Sequence, residues 1–316
     1  MHRVFIDGQA GTTGLEIAGR LEGRRDLRLL VIDDALRKDT ARRAALLNEA
    51  DVVVLCLPDA AAREAVALID NPRTRVLDAS TAHRVVPGWT YGLPELAREQ
   101  RAAIAASARV SNPGCYATGF IVAVRPLIDA GLLSPAQRLS AFALSGYSGG
   151  GRSMIERYRA AQAPGADHVL PPMTYGLDLA HKHVPEMTIH SRCARAPIFS
   201  PIVGHYYKGM LVHVPLDADD VGGADAAAVH ETLRVRYADE PCIRVLPLGA
   251  KEALDGGYLD PTKANGTNRI DVMVFGDAER TLVVTRFDNL GKGAAGAAVQ
   301  NLNLMLGASE LTGLCL

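Results

Sequence analysis

Ser111–Asn112–Pro113–Gly114–Cys115–Tyr116 puts a thiol directly behind a Pro-Gly break. The apolar run Phe120–Leu127 that follows reads as a helix, so Cys115 stands at or near a helix N-terminus. The helix dipole and free N–H groups there favour thiolate over thiol, which is what a nucleophile needs. Cys56, Cys193, Cys242 and Cys315 are read as structural thiols, since five scattered cysteines fit neither a disulfide framework nor a zinc spacing. His181–Lys182–His183–Val184–Pro185–Glu186–Met187 gathers two imidazoles, a cation and a carboxylate within a short segment. A cysteine enzyme that passes through an acyl intermediate needs a general acid and base near neutral pH, and His181 or His183 can supply it. A His-x-His pair alone gives two metal ligands and no matching pair lies nearby, so no metal is expected; an exposed polar loop is the competing reading. The remaining histidines, His168 among them, are read as surface or satisfied core residues.

Three further segments are suited to anions. Gly8, Gly11 and Gly14 follow the first strand-like run and open a helix near Thr12 and Thr13, the setting in which a backbone approaches a pyrophosphate at a helix N-terminus. Ala10 breaks the GxGxxG pattern, and a tight strand-to-helix turn would also need small residues. Asp33–Asp34 at the end of the second run would suit a ribose 2′-hydroxyl and hence NAD, whereas Arg37 and Lys38 would suit a 2′-phosphate; the chemistry leaves NAD and NADP both open. Ser145–Gly146–Tyr147–Ser148–Gly149–Gly150–Gly151–Arg152 could form a nest of N–H groups around Ser148 and Gly149, closed by the Arg152 guanidinium, or be a flexible glycine linker. Asp78–Arg84, with Ser80 and Arg84, sits past a strand's carboxyl end, the edge where α/β sheets hold ligands.

Such residues need elements that position them. Short apolar runs at Arg3–Ile6, Leu27–Ile32, Asp51–Leu57, Thr74–Leu77 and Ala108–Val110 alternate with helical stretches, which implies a doubly wound α/β domain around a parallel sheet. Beyond Cys115 strands crowd together: a strand is expected at Leu139–Leu144, and Asp271–Phe275 and Thr281–Phe287 flank the turn Gly276–Arg280 as a hairpin. That pattern predicts an α+β second domain with a mixed or antiparallel sheet. Gly293–Leu306 reads as an amphipathic helix.

The chain has 316 residues, too many for one ordinary core, and 34 basic against 35 acidic residues, a net charge of −1. A neutral balance offers no electrostatic footprint for nucleic acid or an anionic membrane. The polar then strand-like start and the lack of a long apolar run give neither a secretory signal nor a spanning helix, so a reducing cytoplasm is expected.

The glycine segment, Asp78–Arg84, Tyr91–Leu96, Asn112–Tyr116, the loop to Arg152, His181–Met187 and Asn289–Leu306 together resemble the N-acetyl-gamma-glutamyl-phosphate reductase family in its shorter form. The resemblance spans nearly the whole chain, and its specific parts are Asn-Pro-Gly-Cys-Tyr and His-Lys-His-x-Pro-Glu in that order. It implies a reductase of N-acetylglutamyl 5-phosphate that uses NADP(H), releases inorganic phosphate and the semialdehyde, and shares the two-domain architecture of aspartate-semialdehyde dehydrogenases. The nucleotide domain would be residues 1–115 completed by a C-terminal helix in 290–316; residues 116–289 would form the catalytic and oligomerisation domain. Cys115 would be the nucleophile, with His181, preferred over His183, handling the proton. Arg84, Ser148, Gly149, Arg152, Lys182 and Glu186 would bind substrate. Gly8, Gly11, Thr12, Thr13, Gly14, Arg37, Lys38, Ser80, Asn289 and Gly293 would bind the cofactor, and a homo-oligomer, dimer or tetramer, is expected. An aspartyl-phosphate-specific relative and a non-catalytic dinucleotide sensor are the alternatives, and an activated thiol beside a histidine-rich segment argues against the sensor.

Overall fold

The structure is a computed structural model that describes residues 1–163 and 170–316; His168 lies outside the described residues. The chain divides into two compact units, one formed by Met1–Pro113 with Ala294–Leu314 and the other by Gly114–Gly293 with Cys315–Leu316.

In the first unit, β1 (His2–Asp7), β2 (Leu27–Leu30), β3 (Val52–Leu55), β4 (Arg75–Asp78), β5 (Thr90–Tyr91) and β6 (Arg109–Ser111) pair in the order β2-β1-β3-β4-β6-β5. Every pairing is parallel. The helices are α1 (Thr12–Leu21), α2 (Thr40–Glu49), α3 (Asp59–Ala67) and α4 (Gln100–Ala106), followed at the far end of the chain by the C-terminal helix Gly296–Leu306. Side chains alternate across a strand, and here both sets are apolar because both faces are covered. Val4, Ile6, Val52 and Val54 pack against Ile17, Ile104 and, from the C-terminal helix, Ala298, Val299 and Leu302. Phe5, Val53 and Leu55 pack on the opposite face against Leu46, Leu47, Ala62 and Ala65. From β1 the chain steps out to β2 and returns past β1 to β3, so the order reverses between β1 and β3. The crevice beyond the carboxyl ends at such a reversal is where doubly wound sheets bind ligands.

The strands are shorter than the apolar runs. β2 ends at Leu30, which leaves Asp33–Asp34 in a turn where Ala35 N–H donates to Asp33 Oδ1 at 2.8 Å. β3 ends at Leu55 because Pro58, which cannot donate to a ladder, caps α3. β5 has only two residues, too few to show any alternation in the sequence.

The second unit holds α5 (Cys115–Asp129), β7 (Ser140–Gly146), α6 (Gly151–Ala161), β8 (Met173–Thr174), α7 (Val184–Ser191), β9 (Ile198–Gly204), β10 (Met210–Asp217), α8 (Ala226–Arg236), β11 (Ile243–Val245), β12 (Ile270–Gly276) and β13 (Arg280–Phe287). Its seven-stranded sheet has the order β11-β12-β13-β10-β7-β9-β8. It is mixed: β7–β9 and β11–β12 are parallel, and the other pairs are antiparallel. The expected hairpin forms, with the Asp277 carboxylate accepting from the N–H groups of Glu279 and Arg280. Those donors and the Arg280 guanidinium lower the Asp277 carboxyl to about 2. α5 lies against β10 and β13 and also packs on α7 and α8, which buries nearly its whole length. A π-helical turn, Gly291–Ala295, precedes the C-terminal helix, which therefore begins at Gly296 rather than Gly293.

Candidate active site

Cys115 is the first residue of α5, with Gly114 in extended conformation as its N-cap. No side chain caps this helix; the Gly114 carbonyl instead accepts from Thr118 N–H and Thr118 Oγ1 at 2.9 and 3.0 Å. The first N–H groups of α5 have no acceptor within their own helix, and the dipole at this end favours an anion. The Gly114 N–H donates to Glu186 Oε2 at 3.0 Å. Glu186 is 1% exposed and sits in the first turn of α7, so it ties the turn before Cys115 to the histidine segment.

That segment is not an open loop. His183 caps α7, Pro185 takes the first turn where a missing N–H costs nothing, and both imidazoles lie among aromatic rings. His181 meets Tyr116, Tyr175 and Phe199 edge-on at 5.6, 5.6 and 5.3 Å and His183 at 4.8 Å. His183 Nε2 is 3.9 Å from Glu186 Oε1. The main-chain N–H of His183 donates to His181 Nδ1 at 3.1 Å. Tyr175 Oη donates to Tyr116 Oη at 3.1 Å. Burial pushes the Tyr116 phenol well above its usual range and Tyr175 up to about 12, so both stay protonated donors at neutral pH. Lys182, between the two imidazoles in sequence, is exposed.

The glycine-rich segment is neither a nest nor a linker along its whole length. β7 continues through Gly146, a 3₁₀ turn spans Tyr147–Gly150, and α6 starts at Gly151. Ser148 is buried and Gly149 exposed. Asn289 joins this turn to its neighbours, donating from Nδ2 to Ser148 Oγ at 2.9 Å and accepting Gly209 N–H at 2.8 Å. Arg152 lies in the first turn of α6 with its side chain 79% exposed, paired with Glu156 at 2.7 Å. Gly293 stands so close to Cys115 that a methyl group there would come within 2.9 Å of its Cβ. Its neighbour Lys292 is fully buried.

In the first unit, Gly8–Gly14 forms the turn from β1 into α1, and Gly11 N–H closes it on Gly8 O at 3.0 Å. Gly8 has φ +89°, and a Cβ on it would stand 2.3 Å from Cys56 O; a Cβ on Gly14 would stand 2.6 Å from Gly8 O. Thr12 and Thr13 are half-buried in the first turn of α1. A cradle with no room for side chains, open at an uncapped helix N-terminus, fits the pyrophosphate of a dinucleotide. Arg37 and Lys38 are exposed in the turn after β2. At the end of β4, buried Asp78 accepts from Ser80 N–H, Ser80 Oγ and His83 Nδ1 at 2.9, 2.7 and 2.6 Å. His83 stacks on Trp89 at 4.0 Å. The Arg84 Nε donates to Asn112 O at 2.9 Å. Asn301 from the C-terminal helix donates to Asn112 Oδ1 at 3.0 Å, and Asn112 Nδ2 donates to Ala294 O at the same distance.

Of the residues singled out in the sequence, Cys115, His181, His183, Glu186, Ser148, Asn289 and Gly293 all lie in the second unit, while Gly8–Gly14, Arg37, Lys38, Ser80 and Arg84 lie in the first. Tyr175 and Phe199 were not legible as site residues: each stands alone in a strand-like stretch, and only the fold brings them to the imidazoles. The other cysteines differ in setting. Burial, then the Asp78 and Asp7 carboxylates, pushes Cys56 up to about 12, burial raises Cys193, and Cys315 is exposed. Among the described residues no group of three or more His, Cys, Asp or Glu could hold a metal ion. No helix of the described residues is long and apolar enough to cross a membrane.

Residues 33–104 match the NAD binding domain of semialdehyde dehydrogenases, and residues 115–289 match their dimerisation domain. N-acetyl-gamma-glutamyl-phosphate reductase 2 of Nostoc sp. is 48% identical, covering 99% of both chains. The Pseudomonas putida protein of the same name is 49% identical over 98% of both. Among solved structures, aspartate semialdehyde dehydrogenase from Francisella tularensis superimposes with a TM-score of 0.74 over 97% of this chain and 100% of its own, at 14% identity, a likeness of fold alone. The helix that begins at Cys115, the imidazole pair and the glycine cradle thus occur in a chain that belongs to the N-acetyl-gamma-glutamyl-phosphate reductase family.

Proposed function

We propose that the protein reduces N-acetyl-L-glutamyl 5-phosphate to N-acetyl-L-glutamate 5-semialdehyde with NADPH, releasing inorganic phosphate, through a thioester on Cys115. The observation that supports this most is Cys115 at the N-terminus of α5 with Glu186 tying its turn to the His181–His183 segment. The Cys115 sulfur attacks the C5 carbonyl; the S–C bond forms as the C–O bond to phosphate breaks, and the electron pair leaves on phosphate. The oxyanion formed on the way is met by N–H groups of the first turn of α5. NADPH, when bound, supplies the hydride that reduces the thioester. His181 donates the Nε2 proton to the oxygen as hydride adds, giving a thiohemiacetal, and takes that proton back as the C–S bond breaks and Cys115 departs as thiolate with release of the aldehyde.

The cofactor is NADP(H), with Gly8, Gly11 and Gly14 cradling its pyrophosphate at Thr12–Thr13, Ser80 and Asn289 among its contacts, and basic residues after β2 meeting the 2′-phosphate. Arg84, Arg152 and Lys182 are assigned to the substrate's phosphate and α-carboxylate, with Ser148 and Gly149 as local donors. Glu186, buried on Gly114, acts as a positioning residue. A homo-oligomer, dimer or tetramer, is supported by Phe142 and Ile198, which are 41% and 60% exposed on the paired strands β7 and β9. With its cysteines free, the chain is assigned to the cytoplasm.

The test compares semialdehydes in the reverse direction, with NADP and phosphate. Turnover of N-acetylglutamate semialdehyde at a kcat/KM at least about a hundredfold above that of aspartate semialdehyde is expected. Preference for aspartate semialdehyde overturns the substrate, and no turnover of either overturns the enzyme.

A further inference from the structure

Asp7 is the last residue of β1, immediately before the Gly8 cradle, and its carboxylate is 8% exposed. A buried negative charge beside a phosphate cradle repels the ligand unless something neutralises it. Arg43 does so. It lies in the first turn of α2, and its Nη2 and Nε meet Asp7 Oδ2 at 2.7 and 3.3 Å. The Arg43 side chain is itself only 14% exposed. This arrangement uses the Nε side of the guanidinium; Nη1 has no hydrogen-bond acceptor among the described residues. A guanidinium has five N–H donors, so the edge turned away from Asp7 still offers three.

Arg37 and Lys38 differ in every one of these respects. They are exposed in a turn and make no side-chain hydrogen bond or ion pair among the described residues. Ordering such long side chains on a ligand costs conformational entropy, whereas Arg43 is already held by Asp7. A planar fork fixed on one side is also the better partner for a phosphoryl group than a mobile ammonium.

We infer that Arg43, oriented by Asp7, is the residue that reads the 2′-phosphate of the cofactor and so selects NADP over NAD; the inference rests on the NADP-dependent reading above. Asp7 is then a positioning residue, and the apparent contest between Asp33–Asp34 and Arg37–Lys38 is decided by neither pair.

Binding of 2′,5′-ADP and of 5′-AMP, followed by calorimetry, isolates this contact because neither fragment carries the nicotinamide. The wild-type protein is expected to prefer 2′,5′-ADP by at least about tenfold. Arg43→Gln leaves the Asp7 charge uncompensated and should weaken both fragments, so the ratio is read in Asp7→Asn/Arg43→Gln as well: both variants should bind the two fragments within about twofold of one another. Arg43→Lys should keep part of the preference, and the double variant Arg37→Ala/Lys38→Ala should keep nearly all of it. A preference that survives in Arg43→Gln, or that disappears in the Arg37/Lys38 variant, overturns the inference with the NADP reading intact. If the wild type itself shows no preference, the NADP reading fails, and the inference with it.

Discussion

The main-chain N–H of His183 donates to Nδ1 of His181 at 3.1 Å. A backbone N–H can only donate, so Nδ1 keeps its lone pair and the neutral ring carries its proton on Nε2. In the proposed mechanism His181 is then a donor through Nε2, the form in which it can protonate a developing alkoxide. His181→Gln keeps a donor in that region but cannot release a proton, and kcat should fall about 10²–10⁴-fold with KM little changed. His183 acts on His181 through its main chain, which substitution leaves in place. His183→Gln should thus cost less than His181→Gln, and steady-state kinetics showing the reverse order would assign the proton to His183.

Glu186 accepts the buried Gly114 N–H directly before the nucleophile. Removing the acceptor leaves that donor without its partner, at a cost of about 1–3 kcal/mol, whereas an amide oxygen can still accept. Urea unfolding should place Glu186→Ala below wild type by that amount and Glu186→Gln well above the alanine variant. Equal losses would mean that the carboxylate charge, and not the hydrogen bond, matters.

The glycines of α1 separate a packing constraint from helix propensity. A methyl group at Gly14 would stand 2.6 Å from Gly8 O and 2.7 Å from Gln9 Cα, both backbone atoms that cannot step aside. Gly14→Ala should destabilise by about 1–3 kcal/mol and weaken dinucleotide binding. At Gly19, in the same helix, nothing lies within 4 Å of such a methyl group. Gly19→Ala should stabilise by about 0.5–1 kcal/mol, and thermal unfolding of the pair checks both signs.

His213 on β10 gives the fold a pH dependence. Burial lowers its pKa, its ring stacks on Phe142 at 4.5 Å, and its Nδ1 is buried without a hydrogen-bond partner among the described residues. Above about pH 6.5 the ring is neutral folded and unfolded, and contributes no slope. As pH falls through that value the unfolded chain takes up a proton that the folded chain refuses, so stability is lost until the lower folded pKa is passed. Between pH 8 and pH 5.5, His213→Gln should lose less stability in urea than wild type. A parallel decline in the two proteins would remove His213 from the acid response.

Sequence patterns reached furthest where one short segment holds its own explanation. The Pro-Gly break before Cys115 and the apolar run behind it define α5 and the place of Cys115 at its start locally, and the same holds for the Gly8–Gly14 turn and the β12–β13 hairpin. Contacts across the chain were not legible. Tyr175 reaches Tyr116 over 59 residues and Glu186 reaches Gly114 over 72, pairings that depend on how β8, β9 and α7 are arranged. Arg43 was hidden for a related reason: α2 carries Arg42 and Arg43 side by side, and only the crossing of α2 back over β1 distinguishes the one that meets Asp7. Arg152 shows the opposite case, where a glycine-rich approach suggested a closed clamp and the helix start at Gly151 leaves the side chain in solvent beside Glu156.

The covalent role of Cys115 is open to a measurement that needs no nicotinamide. Rapid mixing of the protein with N-acetylglutamyl 5-phosphate should release about one phosphate per chain in a burst and leave an acyl mass on a peptide containing Cys115, removable by hydroxylamine. Cys115→Ala should give neither burst nor adduct. A burst that persists in Cys115→Ala, or an acyl group mapped to another side chain, would contradict the thioester mechanism.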